Sequence, residues 1–92
     1  MATEKIVLRR YWFLFDRGDQ GVPLVARFGC GVTAWTKEDA MSILQHRVLD
    51  GRDVPQHTII EDVDVSALDA NHVLPNMAPP SVRGIWYPLG YQ

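Results

Sequence analysis

A cysteine set between glycines, three histidines, a run of acidic residues and an aromatic tail are the parts of this 92-residue chain that could do chemistry. Cys30 stands in the segment Phe28-Gly29-Cys30-Gly31-Val32. A nucleophilic cysteine needs a cationic or helix-terminal neighbour to hold it as thiolate, and apolar flanks raise its pKa instead. Cys30 therefore reads as a small core residue, with the two glycines leaving room for a helix to come close. His46, His57 and His72 share with Cys30 the residue types of a zinc site, but no two of them stand at the short spacing that makes half a site locally. Asp62-Val63-Asp64-Val65-Ser66 begins like a calcium loop, yet the sixth position is Ala67 instead of Gly and no Glu closes it. There is no phosphate-binding glycine loop, serine elbow, HExxH or CxxC, so neither a metal nor another cofactor is expected.

Three arrangements remain as candidate sites. Asp69 and His72 lie three apart, so one helical turn would bring them together as a base and its orienter, with Arg83 near them in the tail. Such a trio is the minimum for a small enzyme or ligand-binding domain. A second arrangement is the acidic run Glu61, Asp62, Asp64 and Asp69, in which Asp62 and Asp64 would project from one strand face about 7 Å apart. A charged strand edge resists unwanted pairing and orients a charged partner. The tail adds Arg83, Trp86 and Tyr87, types that carry much of the energy of protein interfaces when they are buried there. Packing back on the domain is the bland fate of the same aromatics. The third arrangement is the segment Arg9 to Phe13, where arginines adjoin aromatics as in platforms that stack single-stranded nucleic acid. A net charge of −2 argues against it, because phosphate binding needs a clustered basic surface.

The elements that must position these residues follow from periodicity. Residues 6 to 15 alternate, with Val7, Tyr11, Phe13 and Phe15 on one face and Leu8, Trp12 and Leu14 on the other, which predicts a strand covered on both sides. Residues 16 to 23 concentrate Asp, Gly and Pro and predict a hairpin loop. Residues 24 to 34 alternate again, with Phe28, Cys30, Val32 and Ala34 facing the core. A helix is predicted from about Thr36 to Asp50: Thr36 caps it, Glu38 and Asp39 suit its positive end, Trp35 packs over its start and Gly51 stops it. Ala40, Met41, Ile43, Leu44 and Val48 form its apolar stripe. Residues 57 to 65 read as a third, half-exposed strand by their β-branched content. Four prolines after residue 74 forbid a long helix there, and 82 to 87 suggest a short fourth strand.

The expected fold is thus one α+β domain spanning residues 1–92: a two-layer structure with a mainly antiparallel sheet of three or four strands, one helix on one face and an irregular C-terminal segment. Its expected core includes Trp12, Phe28, Cys30, Val32, Met41, Leu44 and Val48. A composition of 47% hydrophobic and 22% charged residues is that of a folded globular chain. The charged N-terminus, the lone cysteine and the lack of a long apolar run make a cytoplasmic protein the expectation. The expected function is a non-catalytic protein-binding or regulatory module of the adaptor or toxin-neutralising kind, working through Glu61, Asp62, Asp64, Arg83, Trp86 and Tyr87. Its partner would be another protein or a second copy of the chain, since a small core gains from added burial.

Overall fold

The structure, a computed structural model, describes residues 7–15 and 29–91. The chain runs through β1 (Arg9–Phe15), β2 (Cys30–Ala34), α1 (Lys37–Arg47), β3 (His57–Glu61) and β4 (Gly84–Tyr87), with 3-10 turns at Val65–Ala67 and Leu74–Asn76. The strands form one sheet in the order β3-β1-β2-β4, and every neighbouring pair is antiparallel. This is the expected α+β class with its single helix. The expected loop at 16 to 23, the first part of the second strand and the core residue Phe28 lie outside the described residues.

Helix α1 starts as its sequence predicts. Thr36 keeps an extended backbone while its hydroxyl accepts the Asp39 N–H at 3.0 Å, and Asp39 Oδ2 in turn accepts the Trp35 N–H at 3.0 Å. One of the N–H groups that a helix start leaves without partners is satisfied in this way, and the chain just before the cap is tied to the same turn. Trp35 itself is 46% exposed, so the ring is only partly covered. At the other end Asp50 and Gly51 both take positive φ, of 57° and 82°, and the Gly51 N–H reaches back to the Gln45 carbonyl at 2.8 Å. That left-handed pair ends the helix, as a glycine stop does.

Alternation in β1 and β2 sorts the core into two clusters. Tyr11, Phe13, Cys30, Val32 and Ala34 face α1 and pack with Ala40, Leu44, Val48, Leu49 and Ile85. Met41, expected in the core, lies half-buried at the margin of this cluster. On the opposite face Trp12, Val73, Trp86 and Tyr87 make a second cluster, with Val63, Val65, Leu68, Met77 and Ala78 packed around it. The irregular segment after β3 therefore covers the face that the helix leaves bare. It is tied down by the Ala78 N–H, which donates to the Trp86 carbonyl at 2.8 Å, and by the Thr33 hydroxyl, which donates to the Pro80 carbonyl.

The glycines serve this second face instead of making room for the helix. Gly31 is paired with Trp12 on β1, and a Cβ placed on it would lie 2.5 Å from the Trp86 ring. A Cβ at Gly29, which has φ of 122°, would lie 2.6 Å from the Trp12 ring. On β4 a register shift sets Ile85 opposite Val32 but Tyr87 opposite Gly31, so Trp86 occupies the irregular step between them. Ile85 joins the helix-side cluster, and both Trp86 and Tyr87 join the other.

The third strand is shorter than expected. It stops at Glu61, because Asp62 takes a positive φ of 53° that turns the chain out of extended geometry. Asp64 then caps the next 3-10 turn, accepting the Ser66 N–H at 3.1 Å.

Gly31→Ala is a direct test of this packing. The added methyl must displace a buried indole, so the variant should lose about 1–3 kcal/mol of stability, read as a lower urea midpoint with unchanged slope. An unchanged midpoint would show that Trp86 does not rest on Gly31.

Candidate functional site

The six residues expected to form a docking surface do not come together. Trp86 and Tyr87 are 1% and 4% exposed, packed on Trp12 with ring centroids at 5.7 and 5.6 Å, so neither offers surface to a partner. They belong to the core because the tail needs an apolar anchor on the sheet. Asp62 and Asp64 share no strand face, since the strand has already ended: Asp62 lies 3.5 Å from Arg9, and Asp64 is spent on its cap. Arg83 turns to the helix start, where its Nε donates to Asp39 Oδ2 at 2.9 Å and its Nη2 binds the other carboxylate oxygen. Only Glu61, exposed on β3, keeps the place that the sequence implied.

The alternative sets fare differently. Asp69 and His72 do meet, with Oδ1 to Nδ1 at 3.3 Å, but Asp69 Oδ1 also accepts the Asn71 and His72 N–H groups at 2.8 and 3.0 Å. Those bonds, that from Asn71 foremost, hold the Asp69 carboxyl below the usual carboxylate range. The carboxylate thus organises a turn on the surface, and Arg83, the third member, is held by Asp39. In Arg9 to Phe13 the arginines are exposed, whereas Tyr11, Trp12 and Phe13 are all buried, which removes the stacking faces that a nucleic-acid platform needs. Cys30 is fully buried against the helix, and burial pushes its thiol up to about 12. Among the described residues no group of three His, Cys, Asp or Glu side chains is placed to hold a metal ion. None of the described helices is long and apolar enough to cross a membrane.

What the structure builds instead is a groove between α1 and β3. Its volume is about 570 Å³, with Lys37, Glu38, Met41, Ser42 and Gln45 on the helix wall and His57 and Ile59 on the strand wall. The helix wall is held by the packing of α1 on β2 and β4, and the strand wall by β1. Phe13 is paired with Ile59 and stacks at 5.6 Å on the His57 ring, while the His57 Nδ1 donates to the Pro55 carbonyl at 2.7 Å. Beside the groove, β3 is the end strand of the sheet, and among the described residues no backbone pairs with its outer edge. The opposite edge is partly closed by Ala78 on Trp86. On the face away from the helix, Leu14 and Ile60 remain 40% and 42% exposed beyond the reach of the tail. Comparison with protein-family models, with curated proteins and with solved structures gives no match.

The groove escaped notice in the sequence because its two walls come from segments about fifteen residues apart whose side chains each look ordinary. A helix stripe that includes Met41 and a strand that includes Ile59 are signals of core, and only their offset leaves a channel.

Two measurements test this arrangement. Cys30 should react with a thiol reagent no faster than the protein opens, and rapid labelling of the folded state would refute its burial. Asp39 carries the other test: the hydrogen bond from Arg83, and after it that from the Trp35 N–H, lowers its pKa below the ordinary value of 3.8. A carboxylate with a lowered folded-state pKa stabilises the fold above its unfolded pKa and loses that contribution as pH falls through the folded value. Arg83→Ala should therefore unfold earlier than wild type at neutral pH, and urea titrations should show the gap closing in acid. The guanidinium is half-exposed, so solvent screening keeps this gap small.

Proposed function

We propose that this chain is a non-catalytic protein-binding module that accepts an extended segment as an added strand on the outer edge of β3. The observation that carries this reading is the conjunction of an edge strand without a partner among the described residues and the groove beside it. In strand addition, main-chain hydrogen bonds supply affinity and alternate side chains enter pockets that supply specificity. Both requirements have candidates here. The backbone of His57–Glu61 presents donors and acceptors outward, and side chains on the helix side of an added strand would lie over Met41 and Ile59. Ser42 and Gln45 add neutral polar groups to the same wall, and Lys37 and Glu38 add one charge of each sign. Each added main-chain hydrogen bond contributes about 0.5–1.5 kcal/mol net, so a five-residue strand with two or three filled pockets reaches useful affinity without a large interface.

This retains a binding or regulatory role and moves the surface. The adaptor or toxin-neutralising kind of function needs a surface that recognises backbone plus a few side chains, and the β3 edge is such a surface, whereas the tail aromatics serve the fold.

Selection from a library of displayed peptides tests the reading without a known partner. The wild-type protein should enrich segments with apolar residues at alternate positions. Ser42 is exposed on the helix, so Ser42→Arg fills the groove without disturbing the core and should lose those peptides by at least tenfold in affinity, about 1.4 kcal/mol. Enrichment of nothing, or of peptides indifferent to Ser42→Arg, would overturn it.

A further inference from the structure

We infer that the strand added to the β3 edge is β3 of a second copy of this chain, paired antiparallel about a two-fold axis at Ile59. The inference rests on the β3 edge being the docking edge. It goes further by naming the occupant and its register.

Symmetry narrows the choice sharply. A two-fold axis normal to the sheet keeps each side chain on its own face, and directly opposed residues of an antiparallel pair share a face. Residues of His57–Glu61 can therefore face only residues of the same parity, because a one-residue slip would set one face against the other. Centring the axis on Thr58 or Ile60 leaves only 57–59 or 59–61 paired, whereas centring it on Ile59 pairs the whole strand. Pro55 before the strand and the turned-out Asp62 after it limit pairing at both ends.

The side chains that this register brings together are complementary. On the helix side Ile59 meets Ile59 of the partner subunit, and His57 meets Glu61 of the partner subunit at each end, an imidazole against a carboxylate in place of two like charges. On the other face Ile60 lies opposite Thr58 of the partner subunit. Thr58 is itself paired with Leu14 on β1, so the exposed Leu14 and Ile60 of the two copies become near neighbours across the sheet. Isologous pairing thus sets Ile60 directly against Thr58 of the partner subunit and brings Leu14 within two strand spacings, roughly 10 Å, of the partner's Ile60, which makes one continuous apolar stripe. His57–Glu61 has no Lys, no Pro and no bulge, and its one carboxylate, Glu61, stands at the strand end, where this register sets it against an imidazole instead of a like charge. The groove becomes a trough between two copies of α1, floored by the paired strands.

Sedimentation velocity on the full chain should show monomer passing to dimer with rising concentration, and amide hydrogen exchange at 57–61 should slow in step. Ile59→Cys should be joined to itself by a short bifunctional thiol reagent. Glu61→Cys should not, because in this register the two copies of position 61 lie roughly 13 Å apart along the strands. Ile60→Asp places a carboxylate on an already exposed position and should weaken the dimer at least about tenfold while the circular dichroism of the fold is kept. A monomer at every concentration with β3 exchange unchanged would overturn the inference, as would a dimer in which Glu61→Cys joins as readily as Ile59→Cys. If the chain is monomeric and displayed peptides still bind in a Ser42→Arg-sensitive way, self-pairing fails and the edge reading stands. If neither occurs, both fail.

Discussion

The Trp86 indole lying on Gly31 is the contact on which the rest of the molecule depends. A tryptophan buries about 150–250 Å², which at about 25 cal/mol per Å² corresponds to an upper estimate of about 4–6 kcal/mol. The whole stability of a small domain is about 5–15 kcal/mol. Against this gain stands the Trp86 Nε1, which is buried with no hydrogen-bond partner among the described residues. Such an orphan donor costs about 1–3 kcal/mol, less than the ring contributes. The apolar term wins, and it can do so only because position 31 has no side chain to hold the ring away.

From that contact the asymmetry of the sheet follows. Anchored by Trp86 and Tyr87, the segment after β3 folds across β2 and β4, seals one face of the sheet and places the Ala78 N–H on the outer side of β4. Too little tail remains to reach the far side of β1 and β3, where Leu14 and Ile60 stay exposed. The helix, fixed over the other face by Ala40 and Leu44, likewise stops short of β3 and leaves the groove along it. The β4 edge is tied, and among the described residues no backbone pairs with the outer edge of β3. The unpaired strand edge and the groove thus lie where the described core-forming elements run out, not where the most conspicuous side chains stand.

Charge has a modest part in this arrangement. Arg9 on Asp62 ties β1 to the turn after β3, and Arg83 on Asp39 ties the start of β4 to the helix start. Both pairs sit largely in solvent, where such contacts contribute little to stability. Their role is orientation: Arg83 fixes the approach to β4 against the helix start, and Arg9 holds the turn that ends β3.

Local physics made much of the fold legible in the sequence. Thr36, Glu38, Asp39 and Gly51 each act through groups a few residues away, and the helix they delimit is close to the one their types imply. Strand faces in β1 and β2 follow from alternation, so Cys30, Val32 and Leu44 could be assigned to the core before any contact was known. The fates of Trp86, Arg83 and Asp62 were not legible, because each is decided by a partner distant in the chain or by a backbone angle that periodicity does not report. An aromatic next to prolines has the same composition whether it faces water or a glycine on another strand. The sequence by itself determined the α+β class, the helix and the identity of most core positions, since these rest on spacing and capping. Only the tertiary structure decided that the tail aromatics are core and that β3 is an end strand of the sheet with the groove beside it, since both depend on how the strands order and how far a short helix reaches across them.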